Sequence, residues 1–145
     1  MIVTIKKMNM IESSCLLLGR LLMGSYFIIP AIGKITNFSG TSTYMEQHNV
    51  PLVSVLLILT IVIQLAAGAA IIIGFKAKVA AFILAGLTLL ISLYMHDFWS
   101  MEEGLARTHE FQNFFKNMGI MAGLLIITGL GTGKFSVDHL KVSGN

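Results

Sequence analysis

The chain has 145 residues, of which 55% are hydrophobic and only 12% are charged, and its mean hydropathy is +0.82. Soluble globular domains carry about a quarter charged residues, so this composition predicts an integral membrane protein and excludes an ordinary soluble domain. The formal net charge of +3 comes from lysines that flank apolar stretches. We therefore expect the lipid bilayer as a partner and no nucleic acid.

Four apolar stretches approach the roughly 20 residues that a helix needs to cross a bilayer. The predicted spans, in chain order, cover approximately residues 13–33, 51–74, 77–96 and 112–131. The first contains Arg20 and is too long for the apolar core of a signal peptide, so we expect it to be retained. Short connections make sequential helices neighbours. The sequence therefore predicts one transmembrane domain over residues 1–145, an all-α integral membrane protein with an antiparallel four-transmembrane-helix bundle.

The distribution of lysine and arginine predicts the orientation of this bundle. One side carries six basic residues, which are Lys6, Lys7, Lys76, Lys78, Lys134 and Lys141. The opposite side carries Lys34 and Arg107. Because cytoplasmic loops are enriched in basic residues, both termini are predicted to be cytoplasmic and the 96–113 stretch to face outward. The predicted location is the bacterial cytoplasmic (inner) membrane, as a multi-pass protein.

Small residues recur in the predicted spans. Residues 66–70 read AAGAA, Ala77, Ala81 and Ala85 follow at four-residue spacing, and Gly119 and Gly123 repeat that spacing in the last span. Small side chains let helix backbones approach closely inside a membrane. They predict tight helix packing, and the two glycines are also a candidate surface for a homodimer.

Two polar residues lie deep inside the predicted spans. At 1.5 Å per residue, Arg20 lies roughly 10 Å and Gln64 roughly 16 Å from the cytoplasmic ends of their spans. A charge at that depth needs a partner or a route to water. We predict that Arg20 donates a hydrogen bond to Gln64, with backbone carbonyls or a carboxylate from elsewhere as further partners. The alternative is that Arg20 extends along its helix to the cytoplasmic surface.

The outward ends of spans 1, 3 and 4 carry polar side chains that antiparallel connectivity brings to one membrane surface. Together with Arg20 and Gln64, the candidate ligand-binding residues are Lys34, His96, Asp97, Trp99, Lys116 and Asn117. Trp99 suits either the membrane interface or flat contact with a ligand. His96 and Asp97 form a candidate proton relay, because imidazole exchanges protons near neutral pH. The histidines and carboxylates lack a recognisable metal-ligand spacing, so no metal site is predicted.

Four stretches carry a family resemblance. They are LLLGRLLMGSYFIIPAIGK at 16–34, QLAAGAAIIIG at 64–74, HDFW at 96–99 and FFKNMGIMAGLLIITGLGTGKFSVD at 114–138. With these stretches the chain resembles the DoxX family of small bacterial membrane proteins. The resemblance implies four transmembrane helices and a link to quinone- and thiol-dependent redox enzymes. Gln64 departs from it, because DoxX proteins frequently have Glu at that position, so Arg20 would lack an ionic partner.

The leading functional hypothesis is a DoxX-like, redox-associated membrane subunit that binds a quinone or a similar amphipathic small molecule. We expect no tightly bound cofactor, with quinone as the candidate ligand. Electrons would come from a membrane or soluble redox protein, because the chain has no dinucleotide-binding, haem or cluster-cysteine motif. Its single cysteine, Cys15, also excludes a C-x-x-C pair. We do not expect an oxidoreductase on its own. The alternatives are a small-solute or lipid binding or transport protein, and a membrane scaffold or assembly factor.

Overall fold

The computed structural model describes residues 9–143, with side chains up to residue 140. These residues form six α-helices and one 3₁₀ turn: α1 (Met10–Thr36), α2 (Phe38–Gln47), α3 (Val53–Ile73), α4 (Ala77–Met95), the 3₁₀ turn (Phe98–Ser100), α5 (Leu105–Leu130) and α6 (Val137–Ser143). Helices α1, α3, α4 and α5 are long and apolar enough to cross a membrane. The predicted all-α fold with four transmembrane helices is confirmed. Lys6 and Lys7, which entered the orientation prediction, lie outside the described residues.

Helix α1 begins three residues before the predicted span because a capping box fixes its start. The Asn9 side chain accepts a hydrogen bond from the Glu12 backbone N–H at 2.8 Å, and the Glu12 carboxylate accepts from the Asn9 N–H at 2.8 Å. This reciprocal pair satisfies donors that a helix start otherwise leaves free. Helix α2, which the sequence analysis did not predict, follows α1 directly and packs against both α1 and α3.

The bundle is built from two closely packed helix pairs, α1 with α3 and α4 with α5, which α3 and α4 join. Gly24 and Gly68 lie at the contact between α1 and α3. The predicted small residues Ala77, Ala81 and Ala85 are buried, in agreement with a packing role. The core that results consists of Phe27, Ala67, Ile71, Ala80, Ala81, Leu84, Ala85, Leu124 and Ile127. We call the end with α2 and the 3₁₀ turn the loop end, and the end with Asn9 and α6 the terminal end.

At the terminal end, the segment after α5 folds back onto the turn between α3 and α4. The backbone N–H of Asp138 donates to the carbonyl of Gly74 at 2.8 Å. The Asp138 carboxylate in turn accepts from the N–H groups of Lys76 at 2.8 Å and Ala77 at 3.2 Å. A carboxylate at a helix start satisfies free N–H groups and suits the helix dipole. Asp138 therefore joins the C-terminal segment to the start of α4.

Candidate ligand-binding pocket

A cavity of about 250 Å³ lies toward the loop end, between α1, α2, α3, α4 and the middle of α5. We call it the loop-end pocket. Five of the eight predicted ligand-binding residues line it, namely Lys34, Gln64, His96, Lys116 and Asn117. They converge because antiparallel packing brings the ends of α1 and α4 beside the middle of α3 and the middle of α5. The predicted meeting of Lys34, His96, Lys116 and Asn117 is thus observed, although Lys116 and Asn117 lie in the middle of α5 and not at its start.

The deepest polar group of the pocket is the Gln64 side chain. Its residue is 5% exposed, and its Oε1 atom has no hydrogen-bond partner among the described residues. A buried polar atom without a partner costs about 1–3 kcal/mol relative to a satisfied one. Apolar residues such as Phe27 and Leu57 surround the rest of this region. Gln64 is therefore available to hydrogen-bond a molecule inside the pocket.

Arg20 does not donate to Gln64, so the predicted hydrogen bond is wrong. The guanidinium instead donates to the backbone carbonyls of Thr132 at 2.7 Å, Phe135 at 2.6 Å and Ile72 at 3.1 Å. The predicted depths of Arg20 and Gln64 were counted from the cytoplasmic ends of their own helices, and α1 and α3 do not end at the same level. In the structure the Arg20 guanidinium lies beside Gly74, just after the last turn of α3, well below Gln64.

The alternative for Arg20, extension to the surface, is wrong as well, because the residue is only 2% exposed. Its three carbonyl partners lie close to the ends of α3 and α5. Those ends leave carbonyl groups without intrahelical partners and carry the negative end of the helix dipole. Asp138 adds a favourable charge interaction. Arg20 is therefore a buried clamp that holds the C-terminal segment, and it lies outside the loop-end pocket.

Asn117 is positioned by a chain of hydrogen bonds between α5 and α4. Its amide donates to the Ser92 hydroxyl at 3.0 Å, and that hydroxyl donates to the Thr88 carbonyl at 2.7 Å. The Thr88 hydroxyl donates to the Leu84 carbonyl at 2.7 Å. Since Asn117 is 6% exposed and Thr88 4%, this chain satisfies polar groups inside the bundle. It gives the pocket a rigid polar wall opposite Gln64.

Two histidine–carboxylate pairs form the rim of the pocket. His96 Nδ1 lies 2.6 Å from a Glu110 oxygen, and His48 Nδ1 lies 3.4 Å from an Asp97 oxygen. The predicted partner of His96 was Asp97, whereas the observed partner is Glu110. This difference arises because α4 ends at Met95, and the following residues turn away from the helix axis. Asp97 therefore contacts α2 rather than the pocket.

Trp99 also lies outside the pocket lining. It is 52% exposed and packs edge-on against Phe98 and Phe114. Phe98 further contacts Phe111 and Phe114, so the aromatic residues of the 96–117 stretch form one cluster beside the pocket. A partly exposed aromatic cluster at the end of a transmembrane bundle is typical of the membrane interface.

The sequence analysis missed Thr41, Tyr44 and Thr60, which also line the pocket. Burial raises the pKa of the Tyr44 phenol, and the nearby Glu110 carboxylate raises it further. The phenol therefore stays neutral around pH 7 and can donate a hydrogen bond. The four-residue spacing of Tyr44 and His48 could have indicated that both side chains lie on one face of a helix. Their rings do contact each other, with centroids 4.7 Å apart.

Fold and pocket together define a class: a small multi-pass membrane protein with a polar cavity at one end of a four-helix bundle. Its four long helices imply contact with the lipid bilayer. Within residues 9–143, no group of three or more histidine, cysteine, aspartate or glutamate side chains is arranged to hold a metal ion. The polar groups of the pocket are instead amide, ammonium, imidazole and hydroxyl groups.

The chain belongs to the SURF4 family, whose model matches residues 44–143. It is 35% identical over 133 residues to the inner membrane protein YqjF of Escherichia coli K12. The aligned region covers 92% of this chain and 96% of YqjF. It is 30% identical over 124 residues to the inner membrane protein YphA of the same organism, with 86% and 88% covered. A Surfeit locus protein 4 homolog of Schizosaccharomyces pombe is 36% identical over 85 residues, 58% of this chain and 28% of that protein. No solved structure matches the chain.

These relationships overturn the resemblance to the DoxX family, because the matching family model is SURF4 and covers 100 residues that include three of the four resembling stretches in full. Glycines allow close helix packing in any small membrane bundle, and basic residues are common at the ends of its spans. Glycine-rich spans with a basic residue at the end therefore do not distinguish one family from another. The predicted location is confirmed: the chain is a multi-pass membrane protein whose E. coli relatives are inner membrane proteins.

Proposed function

We propose that the loop-end pocket binds one small amphipathic molecule. The observation that carries this proposal is Gln64, a buried amide whose oxygen has no partner and which lines a cavity of about 250 Å³. Ligand pockets typically combine an apolar lining with a few polar groups that fix the orientation of the ligand. A bound molecule that hydrogen-bonds Gln64 would remove the cost of leaving this amide unsatisfied.

The polar groups of the pocket favour a ligand with oxygen-rich chemistry. Lys34 is half-buried and has no hydrogen-bond or ion-pair partner among the described residues, and Lys116 contacts only the neutral Asn113 side chain, at 3.0 Å. Both ammonium groups are therefore free of carboxylates and can bind an anionic or carbonyl oxygen. The Tyr44 hydroxyl, by contrast, is hydrogen-bonded to the Glu110 carboxylate.

The proposal retains the amphipathic ligand of the sequence-based hypothesis and leaves out its redox role. That role depended on the DoxX resemblance, which is wrong. The polar pocket itself supports ligand binding, and a binding function requires no electron donor. Quinones are thus only one of the amphipathic classes that the following experiment can identify.

We expect Gln64→Leu to abolish ligand binding while leaving the protein as stable as wild type, or more stable by up to about 1 kcal/mol. The reason is that leucine removes an unsatisfied buried amide and fills similar volume. The measurement is native mass spectrometry of gently solubilised protein, combined with identification of the extracted molecules and a chemical unfolding curve. A structural glutamine would give the opposite pattern, with lost stability and retained ligand.

Gln112→Leu is the matched control, because this glutamine is exposed and lies outside the pocket. It should keep both the ligand and the wild-type stability. If wild-type and Gln64→Leu proteins carry the same molecules in the same amounts, the pocket is not their binding site and the proposal is wrong.

The orientation of the bundle is a separate part of the proposal. Lys76, Lys78 and Lys134 lie at the terminal end, so the positive-inside bias places that end in the cytoplasm and the pocket toward the outer face. Alkaline phosphatase, which is active only outside the cytoplasm, should be active when fused after Gly104 and inactive when fused after Phe75. The reverse pattern would invert this orientation.

A further inference from the structure

A second cavity, of about 140 Å³, lies between α3 and α4 next to the loop-end pocket. The two cavities have a common wall made of Met45, Thr60, Ile91 and Met95, each of which lines both of them. We call the second cavity the side groove. Its lining is almost entirely apolar. The side groove is therefore an apolar neighbour of a pocket that also carries several polar groups.

The side groove faces the lipid-exposed surface of the bundle. Leu90 and Tyr94, which line it, are 56% and 47% exposed. Two of the four residues of the common wall are methionines, whose flexible and unbranched side chains adapt readily to a neighbouring group. A flexible chain that starts in the loop-end pocket can thus pass this wall and reach the hydrocarbon region between α3 and α4.

The positions of the polar groups define the head of such a molecule. Lys34 lies near the end of α1 and Lys116 in the middle of α5, while Gln64 lies on α3 one turn before Gly68, which packs against Ile28 of α1. An anionic group fits the two ammonium groups. A hydroxyl group fits Gln64, whose amide can accept or donate a hydrogen bond. The common wall includes Thr60, one turn from Gln64 on α3, so a chain can leave the head there.

We propose that the ligand is a single-chain lipid whose head carries an anionic group and a free hydroxyl. This inference rests on the function proposed above. The anionic group binds Lys34 and Lys116, the hydroxyl binds Gln64, and the acyl chain passes the common wall into the side groove. A monoacyl glycerol phosphate has all three features. The small side groove accommodates part of one chain, which distinguishes this class from two-chain lipids.

The test uses the full chain in lipid nanodiscs and a monoacyl glycerol phosphate with a photoreactive diazirine at the end of its chain. After illumination, labelled positions are mapped by peptide mass spectrometry. We expect saturable labelling on the 87–95 stretch of α4, removed by excess unlabelled lipid. Monoacylglycerol, which lacks the anion, and a two-chain phosphatidate with the same diazirine should each label this stretch at least tenfold less.

Three variants separate the head from the chain. Lys34→Met should lower the labelling at least tenfold, whereas Lys134→Met, which removes a lysine at the terminal end, should leave it unchanged. Ile91→Phe enlarges a side chain of the common wall, so it should displace the diazirine from the 87–95 stretch while glycerol phosphate still competes for the pocket. Size-exclusion profiles and unfolding curves establish that each variant is folded.

The outcomes distinguish this inference from the function on which it rests. Saturable binding with the label spread over all lipid-facing helices would overturn the chain path and leave the ligand pocket intact. Absence of saturable binding by the monoacyl lipid, with another molecule lost from Gln64→Leu, would overturn the ligand class alone. If no molecule depends on Gln64, both proposals are wrong.

Discussion

Arg20→Leu is expected to destabilise the protein by several kcal/mol, because it leaves up to three buried carbonyls without a donor at about 1–3 kcal/mol each. Arg20 is 2% exposed and donates to three backbone carbonyls, those of Thr132, Phe135 and Ile72. Leucine cannot donate to any of them. The carbonyls would stay buried without partners, or the C-terminal segment would move away to hydrate them.

Chemical unfolding in mild detergent measures this loss of stability, and limited trypsin digestion locates it. Because Arg20 binds the carbonyls on both sides of Lys134, cleavage after Lys134 should be faster in Arg20→Leu than in wild type. Arg20→Lys should fall between the two, since a single ammonium group cannot span three carbonyls as a planar guanidinium does.

Arg107→Leu is the matched control for loss of an arginine. Arg107 donates to the Phe98 carbonyl at 3.2 Å and pairs with the largely exposed Glu103 at 3.6 Å. Exposed pairs of this kind contribute about 0–1 kcal/mol. Equal and small effects of Arg20→Leu and Arg107→Leu would contradict the clamp, as would unchanged cleavage after Lys134.

The position of Arg20 shows which part of the fold could be predicted from sequence and which could not. Four apolar stretches near 20 residues long predict four spanning helices, because only a helix satisfies its own backbone polar groups in lipid. The relative heights of those helices depend on where each of them starts and ends. The contact of Gly24 with Gly68 and Ile72 sets the height of α1 against α3, so Arg20, one turn before Gly24, faces the end of α3 instead of its middle.

The candidate site was predictable at Gln64, a polar residue in an otherwise apolar span, and where its residues flank the spans. Lys34, His96, Lys116 and Asn117 lie at span ends that antiparallel connectivity brings together. The positions of other pocket residues depend on features that produce no periodic pattern in the sequence. Tyr44 lies on α2, a polar helix that hydropathy does not detect, while Thr60 faces the pocket only because of the rotation of α3 about its axis.

Close packing of α1 on α3 gives the second large expected effect: Gly24→Ala should destabilise the protein by about 1–3 kcal/mol, the usual cost of overpacking. A Cβ atom at Gly24 would lie 2.6 Å from the carbonyl oxygen of Gly68, and it would also clash with the Ile72 side chain. A backbone oxygen cannot rotate away. The two helices must therefore separate, which loses contacts along their whole interface.

Gly19→Ala is the control on the same helix, because a Cβ atom at Gly19 would meet no atom within 4 Å. Alanine favours helix over glycine by about 1 kcal/mol, so Gly19→Ala should be neutral or stabilising. Gly68→Ala should be intermediate, since its Cβ would lie 3.1 Å from the Gly24 carbonyl oxygen. Unfolding curves of the three variants give this order directly, and equal effects at Gly19 and Gly24 would contradict the close helix contact.

The same substitution tests how packing positions the pocket. Helix α1 carries Phe27 and Lys34 on the pocket wall, while α3 carries Gln64 opposite them. If Gly24→Ala moves α1 away from α3, the distance between Lys34 and Gln64 changes although neither residue is altered. We expect weaker ligand retention in Gly24→Ala and unchanged retention in Gly19→Ala. Full retention in a destabilised Gly24→Ala protein would mean that α1 does not set the shape of the pocket.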